Sequence, residues 1–444
     1  MRVLWNGLAF SAGLGCVAAA WFGRAPFWSE ARPWPLLLVL VFASFIVGLW
    51  WVFRRREQGI RRGGFELGVE WAAVLVAAFS AVVALGVEAQ FRLASWRVTN
   101  ADPAALERVG RHVMTGYRDP AFVRGLIERR AIAGIFVTRR NVGERSVEAI
   151  AAEIAGFQAI RARQGLPPLW VATDQEGGGV SRLSPPLTRL PVLAETVRSA
   201  MTDAARTKAV DDYAATHGRE LASVGVNLNF APVVDLDHGV RNPGDAFSRI
   251  WERAISRDPA IVADVAGRYC DGLARHGVHC TLKDFPGLGR VFEDTHRSAG
   301  RLDASVAELE ASDWIPFRQV MGRPGNFVMV AHVVLGGFHP SSVVSTSSEV
   351  VGGLVRERWH HDGPLITDDM CMGPIYFGWD GIGGAAVRSL VAGVDMLLVS
   401  WDGDQVYRVL AALIDADRGG TEFRAKLDAS AARLERARGE IVKR

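Results

Sequence analysis

The chain begins with long apolar stretches and continues with short ones. Residues 33–53 contain no charged residue and are rich in Leu, Val, Phe and Trp. As a helix, this stretch is long enough to cross a bilayer core of about 30 Å. Residues 3–23 are also uncharged, and residues 71–87 form a shorter apolar run that can just span. The pattern predicts three transmembrane helices within a membrane region at residues 1–88, followed by a connector at residues 89–103.

Basic residues indicate the orientation of these predicted helices. Arg54–Arg56 and Arg61–Arg62, between the second and third spans, form the densest basic cluster beside any span. Because basic loops stay on the cytoplasmic side, alternation places the N-terminus inside and everything after residue 87 outside. A cleaved signal peptide is the alternative interpretation of the first apolar stretch. Both interpretations predict that the large remaining domain is exported.

Beyond residue 104, short apolar runs alternate with amphipathic segments such as 147–163 and 207–224. This alternation is typical of a parallel sheet with crossover helices. Seven or eight such units predict an α/β fold, a TIM (β/α)8 barrel at residues 104–444, with an open doubly wound sheet as the alternative. The predicted strands are 133–137, 169–173, 226–232, 279–283, 327–331, 364–367 and 396–400.

Charge and cysteine usage narrow the expected partners. The net charge of +3 is accounted for by the basic cluster between the second and third spans, so the rest of the chain is near neutral. A nucleic-acid surface is therefore not expected, whereas the lipid bilayer is. Buried free thiols are expected at Cys270 and Cys280, with a disulfide between them as the alternative. The cysteines and histidines show no metal-ligand spacing, so no metal is expected.

Polar residues follow several predicted strands at their carboxyl ends. In a barrel these positions converge on one mouth, where active sites lie. Alternation along the sixth predicted strand puts Asp368 and Asp369 on opposite faces, so only one of them can point into a site, and spacing alone does not choose between them. The residues at strand ends are Asp174, Gln175, Glu176, Lys283, Asp284, His332, Asp368 and Asp369.

The segment from Lys283 to His296 carries two cations, three carboxylates and one imidazole. It begins at a predicted strand end and continues into a loop, in which Gly287 and Gly289 are candidate hinges. That concentration of ionisable groups on a mobile loop predicts an active site.

Several long motifs, in order, resemble the bacterial glycoside hydrolase family 3 β-N-acetylglucosaminidases of the NagZ type, which are TIM barrels. The resemblance runs from about residue 102 to the C-terminus. Its marks are VATDQEGG at 171–178, NFAPVVD at 229–235, RAISRDP at 253–259, the segment 283–296, VAH at 330–332 and ITDDM at 366–370.

The resemblance implies the catalytic residues. Asp368 matches the nucleophile that forms a covalent glycosyl-enzyme in retaining hydrolysis, and Asp369 would then be supporting structure. His296 matches the general acid and base, oriented by Asp294. An imidazole suits this task because its pKa lies near neutrality and a carboxylate partner fixes its tautomer.

Sugar recognition is implied for Asp174, Arg253 and Lys283, whose carboxylate and cationic groups suit vicinal hydroxyls. Asp284 departs from the pattern, because the family usually has a histidine there that touches the sugar. A carboxylate reverses donor and acceptor roles. We expect it to shift sugar preference, to raise the pKa of Asp368, or to be neutralised by Lys283.

The expected function is that of an exo-acting retaining β-N-acetylhexosaminidase in the bacterial inner membrane, multi-pass, with its catalytic domain in the periplasm. Its expected substrate is a terminal β-linked N-acetylglucosamine on peptidoglycan fragments, without a cofactor. The chain ends at Arg444 with no second sandwich domain, which by the same resemblance favours the aminosugar type. The alternatives are another β-glycosidase, a glycoside phosphorylase, or a catalytically inactive, membrane-anchored sugar-binding protein.

Overall fold

A computed structural model describes residues 2–32, 34–56 and 64–441. The chain divides into two compact units, one up to Asn100 and one from Ala101. The first unit contains the helices α1 (Arg2–Trp21), α2 (Trp34–Arg56) and α3 (Gly64–Thr99) and a short 3-10 helix at Pro26–Trp28. Both α1 and α2 pack against α3 through apolar residues such as Ala20, Ala43 and Ala77.

Two helices of this unit are long and apolar enough to cross a membrane, at Trp34–Val52 and Leu67–Thr99. The apolar segment of α1 is shorter, at Gly7–Trp21. The orientation and the number of spans remain predictions, and Arg61–Arg62 of the basic cluster lie outside the described residues. Helix α3 continues to Thr99, so most of the predicted connector at residues 89–103 is helical.

The strands of the second unit are β1 (Val113–Gly116), β2 (Gly134–Phe136), β3 (Trp170–Thr173), β4 (Gln175–Gly177), β5 (Val180–Ser181), β6 (Leu228–Asn229), β7 (His279–Phe285), β8 (Arg301–Leu302), β9 (Phe327–Val330), β10 (Val334–Leu335), β11 (His339–Val343), β12 (Leu365–Asp369) and β13 (Met396–Val399). Eight of them are parallel and form a closed barrel, in the order β1, β13, β12, β9, β7, β6, β3, β2, while the other five form two small sheets. This confirms the predicted (β/α)8 fold. Each predicted strand has an observed counterpart within a few residues, but the first barrel strand was not predicted.

Several helices of the second unit begin at residues whose side chains cap them. Asp258 accepts a hydrogen bond from the backbone of Ala260, and Ser146 accepts one from Ala149. The helices are α4 (Pro103–Gly110), α5 (Pro120–Glu128), α6 (Arg139–Val142), α7 (Val147–Arg163), α8 (Leu193–Ser199), α9 (Asp203–Ser223), α10 (Ile250–Arg253), α11 (Pro259–Ala274), α12 (Val306–Glu310), α13 (Trp314–Val320), α14 (Gly373–Tyr376), α15 (Gly381–Ala392), α16 (Val406–Arg418) and α17 (Thr421–Ile441), with a π-helix at Ser348–Arg358 and 3-10 turns at Val344–Thr346 and Gly403–Gln405.

Large apolar side chains fill the barrel interior. Phe136 and Phe230 stack with their ring centroids 5.6 Å apart, and Trp170 meets Phe327 edge-on at 5.0 Å. Leu434 of α17 belongs to the same buried cluster, so the last helix packs against the amino-terminal ends of the strands. The opposite end, where the strands terminate, is left for polar side chains.

Cys270 and Cys280 form a disulfide, so the expectation of free thiols was wrong. Helix α11 ends at Ala274, and the chain reverses through Gly277, which has a φ of 74°. The reversal brings the helix back over β7 and places the two Cα atoms 5.2 Å apart, within the range a disulfide needs. The order of elements along the chain does not reveal this proximity.

Candidate active site

Lys283 joins two carboxylates at the mouth of the barrel. Its Nζ donates to Asp174 Oδ1 and to Glu176 Oε1, each at 2.9 Å. Positions 174 and 176 share a face because side chains alternate along extended backbone. The intervening Gln175 points away and bonds Ser184 and the backbone of Leu183.

Arg253, the last residue of α10, also binds Glu176. Its Nε and Nη2 donate to the two carboxylate oxygens, both at 2.8 Å, and its Nη1 donates to Ser248 O at 2.8 Å. Burial alone would raise the pKa of Glu176, but the positive charges of Arg253 and Lys283 lower it to about 2. Glu176 therefore orders both cations that the resemblance implies for sugar binding. We call Asp174, Glu176, Arg253 and Lys283 the ionic floor.

Asp284 is buried beside the ionic floor without a close partner. Its Oδ2 lies 3.8 Å from Arg253 Nη2, and its Oδ1 has no hydrogen-bond partner among the described residues. Burial raises its pKa to about 6, against the positive charges of Lys283 and Arg253 and together with the charge of Asp368. The charge of Asp284 was expected to be neutralised by Lys283. Lys283 does not bond Asp284 directly, because its Nζ bonds Asp174 and Glu176 instead.

A second buried carboxyl, Asp235, adjoins Asp284. Its Oδ1 accepts the backbone N–H of Leu288 at 2.5 Å, while Oδ2 has no hydrogen-bond partner among the described residues. Burial, and then the charge of Asp284, raise the pKa of Asp235. The negative charge of either carboxylate therefore disfavours ionisation of the other.

The two aspartates at the end of β12 have different surroundings. Asp369 is held as a structural acceptor: its carboxylate receives hydrogen bonds from Ser400 N at 2.9 Å, Ser400 Oγ at 2.7 Å and Trp401 N at 2.7 Å. Asp368 accepts one hydrogen bond within the described structure, from the adjacent backbone N–H at 2.7 Å. The carboxylate of Asp368 is thus the one left available at the mouth.

His332, two residues beyond the end of the neighbouring β9, supports this strand end. Its Nε2 donates to Asp369 O at 3.1 Å, and its Nδ1 lies 2.7 Å from Ser345 Oγ. Burial lowers the pKa of His332 although the charges of Asp368 and Asp369 oppose the shift. A neutral His332 fixes the backbone that presents Asp368.

His296 and Asp294 form a pair in the loop after β7. His296 Nδ1 lies 3.3 Å from Asp294 Oδ1 and 3.3 Å from Ser248 Oγ. Asp294 is buried, and it also accepts the backbone N–H groups of His296 and Ala246. Burial would raise the pKa of Asp294, but hydrogen bonds from His296 hold it below its usual value. The imidazole itself is 41% exposed and therefore accessible to a substrate.

The loop that carries this pair is docked beside the end of β12. His296 O accepts the backbone N–H of Gly373 at 2.8 Å. A side chain at position 373 would come within 2.1 Å of Arg297 O, so only glycine permits this approach. The ring of Phe247 lies 5.4 Å from His296 and 6.4 Å from Trp401. These contacts place the imidazole on the same side of the barrel as Asp368.

All the predicted site residues lie at this mouth, and Ser248 connects the ionic floor with the pair formed by His296 and Asp294. Its backbone oxygen binds Arg253 of the ionic floor, and its hydroxyl contacts His296 and Asp294. Sequence reasoning missed Ser248, which carries no signal of its own. Within residues 2–32, 34–56 and 64–441 no group of three or more His, Cys, Asp or Glu is arranged to hold a metal ion. The mouth offers a carboxylate, an imidazole paired with a carboxylate, and fixed cations.

Residues 104–437 match the family model described as the glycosyl hydrolase family 3 N-terminal domain. The chain belongs to glycosyl hydrolase family 3. A relative named β-hexosaminidase from Xylella fastidiosa (strain M23) is 34% identical over 270 residues, which cover 61% of this chain and 76% of the relative. The family resemblance seen in the motifs is thereby confirmed.

Solved family 3 structures share this fold. A β-N-acetylglucosaminidase from Paenibacillus sp. str. FPU-7 aligns with a TM-score of 0.68 at 30% identity, covering 76% of this chain and 62% of that longer one. A β-N-acetylhexosaminidase from Beutenbergia cavernae DSM 12333 aligns with a TM-score of 0.68 at 28% identity, covering 77% of this chain and 100% of that one. The comparisons support a glycoside hydrolase of the β-N-acetylhexosaminidase class.

Proposed function

We propose that this family 3 protein is an exo-acting retaining β-N-acetylhexosaminidase that removes terminal β-linked N-acetylglucosamine. The proposal rests on one observation at the mouth: the carboxylate of Asp368 is available, while His296 is paired with the buried carboxylate of Asp294. Retaining hydrolysis needs one nucleophilic carboxylate and one group that gives and then takes a proton. The relatives named for this activity support the same assignment.

In the first step, a carboxylate oxygen of Asp368 attacks the anomeric carbon of the bound sugar. The bond from that carbon to the leaving oxygen breaks, and His296 gives its proton to the leaving oxygen. The product is a covalent glycosyl-aspartate. Because Asp294 lies at Nδ1, the opposite nitrogen, Nε2, is the one that transfers the proton.

In the second step, water attacks the same carbon and the bond to Asp368 breaks, which regenerates the carboxylate. His296, now neutral, takes the proton from the water. The charge of Asp294 stabilises the imidazolium that forms. The histidine thus returns to the state in which it began the cycle.

The ionic floor holds the sugar in this proposal. Arg253 and Lys283 present fixed donors to hydroxyl or acetamido oxygens, and Asp174 accepts from hydroxyls. Glu176 fixes both cations before the sugar arrives, so little side-chain entropy is lost on binding. Asp284 places a further carboxyl near Asp368. A difference in sugar preference between this protein and its relatives would arise from this residue.

We further propose that the protein is a multi-pass protein of the bacterial inner membrane with the barrel on the periplasmic side. Leu38, Leu75 and Val82 on the long helices are each more than 60% exposed, which suits contact with lipid. The Cys270–Cys280 disulfide supports an oxidising compartment. Peptidoglycan fragments ending in N-acetylglucosamine are the substrates that an enzyme there would meet.

The full chain in detergent tests this proposal on chromogenic β-N-acetylglucosaminides and on muropeptides. Turnover that Asp368→Asn abolishes is expected. Wild-type protein that releases nothing from either substrate, or a variant as active as wild type, contradicts it. A requirement for inorganic phosphate would instead identify a glycoside phosphorylase, for which an imidazole acid and base is suited because it does not repel an anionic nucleophile.

A further inference from the structure

A cavity of about 300 Å³ lies at the end of the barrel opposite the catalytic mouth. It opens between helix α17 and the amino-terminal ends of strands β2 and β3. Ala133, Trp170 and Leu434 contribute apolar walls. The proposed hydrolysis uses none of these residues, because the catalytic side chains all follow the carboxyl ends of strands.

Arg161 of α7 lines this cavity and is almost completely buried, with 4% of its surface exposed. Its one hydrogen bond in the described structure runs from Nε to Pro167 O at 3.2 Å. No carboxylate among the described residues forms an ion pair with it. Its two terminal amino groups are therefore left without a hydrogen-bond partner among the described residues, and burial lowers the pKa of Arg161.

A second guanidinium, that of Arg438 from α17, lies over the ring of Trp170, with Cζ 3.9 Å from the ring centroid. Its Nε has no hydrogen-bond partner among the described residues, and Glu435 Oε1 is 3.5 Å away. Burial lowers the pKa of Arg438 to about 10, and the charge of Arg161 acts in the same direction. Two incompletely neutralised cations thus line one cavity.

The carboxylates at the cavity do not balance these charges. Glu107 is already paired with Arg111 at 2.9 Å and with Arg130 at 2.7 Å. The lining therefore holds four arginines, Arg111, Arg130, Arg161 and Arg438, against two glutamates, Glu107 and Glu435. Buried cations without counter-charges are costly, and a bound anion relieves that cost.

We propose that this cavity is a binding site for a small phosphate-class oxyanion, either free phosphate or a compact phosphate monoester. Guanidinium groups match the geometry of phosphate oxygens and donate to them in pairs. The apolar wall of Leu166, Pro167 and Trp170 accommodates the organic part of a monoester. The site is separate from the catalytic mouth, so it offers a place for an anion to act on the stability of the enzyme.

Thermal unfolding of the full chain in detergent tests the site, with inorganic phosphate titrated at constant ionic strength set with chloride. A ligand that binds only the folded state raises the midpoint in a saturable manner. The expected result is such a rise in wild type and in the control Arg358→Met, a surface arginine outside the cavity. Arg161→Met and Arg438→Met are each expected to raise the dissociation constant at least about tenfold.

Two further additives identify the ligand. Glycerol phosphate that binds more tightly than inorganic phosphate indicates a monoester, and weaker binding indicates free phosphate. Acetate that stabilises equally overturns the phosphate class. Unchanged phosphate dependence in both arginine variants also overturns the proposal, because the anion would then act elsewhere, for example at the catalytic mouth.

Crystals of the wild-type protein soaked in tungstate keep the proposal testable if a variant fails to fold. An anomalous peak within hydrogen-bond distance of Arg161 and Arg438 is expected. A cavity without such a peak, in crystals that are shown to contain tungstate elsewhere, contradicts the proposal.

Discussion

Glu176 accepts two hydrogen bonds from Arg253, each 2.8 Å long, and a third from Lys283. The carboxylate is buried, and its two cationic partners are the side chains proposed to hold the sugar. One glutamate therefore fixes two cations, both proposed to bind the sugar, that come from distant parts of the chain. This relationship makes Glu176 a positioning residue, although it need not touch the substrate.

Glu176→Gln is expected to lower the free energy of unfolding by about 3–5 kcal/mol, because it leaves two buried cations without their shared partner. It should also raise KM more than it lowers kcat. Denaturant unfolding and steady-state kinetics measure the two effects, with the exposed Glu195→Gln as a control. Unchanged KM in a folded variant would show that the ionic floor does not bind the sugar.

The lowered pKa of Glu176 gives this effect a pH dependence. A carboxyl whose pKa is depressed to about 2 in the folded state stabilises the protein above its unfolded pKa of about 4.3. That contribution is lost as the pH falls from about 5 towards 2. Wild type should therefore lose more unfolding free energy than Glu176→Gln over this interval.

Asp368→Asn should mainly lower activity, whereas Asp369→Asn should mainly lower stability. The first removes the proposed nucleophile and is expected to reduce kcat at least about 10³-fold with little change in the unfolding midpoint. The second weakens the acceptor that holds Ser400 and Trp401, and is expected to cost about 2 kcal/mol of stability. Assays of activity and thermal unfolding on both variants test the division. Reversed phenotypes would exchange the roles of the two residues.

His296→Ala is expected to lower kcat/KM, which reports the first step, by about 10²–10⁴-fold on substrates with poor leaving groups. The loss should be smaller for an activated aryl leaving group, which needs no proton. Asp294→Asn should produce a weaker version of the same pattern, because the imidazole loses the carboxylate that orients it. An equal loss for both kinds of leaving group would argue against proton transfer by His296.

Asp284→Asn is expected to stabilise the protein in a pH-dependent manner. Since burial raises the folded pKa of Asp284 to about 6, the wild-type carboxyl lowers stability as the pH rises from about 4 to 6. The variant should therefore gain stability relative to wild type across that interval, by an amount of the order of 2–3 kcal/mol. Unfolding free energies at pH 4 and pH 7 measure it, with the surface variant Asp264→Asn as control. A difference that does not change with pH would mean that Asp284 titrates normally.

The barrel could be predicted from the sequence because its strands are buried on both faces and appear as short apolar runs. Strand β1 was missed because Val113–Gly116 is brief and ends in Thr115 and Gly116. The positions of Asp174, Lys283 and Asp368 at strand ends followed from the same pattern. The end of α3 was misplaced because its polar last turns resemble a linker, although they continue a helix.

Apart from that of His296 with Asp294, which the resemblance implied, the side-chain pairings of the site could not be predicted. Alternation would have put Asp174 and Glu176 on one face, so the signal for Glu176 was present, but the sequence does not show that Lys283 and Arg253 reach it. Alternation also left the choice between Asp368 and Asp369 open. Only the contacts of Asp369 with the following strand separate their surroundings.

Trapping of the covalent intermediate tests the proposed role of Asp368 as nucleophile most directly. The full chain in detergent is incubated with a fluorinated N-acetylglucosaminyl donor that forms the intermediate quickly and releases it slowly. Peptide fragmentation by mass spectrometry then locates the sugar. A single adduct on the carboxylate of Asp368, absent from Asp368→Asn, is predicted; an adduct on Asp369 or Asp284, or turnover without any adduct, would contradict the account.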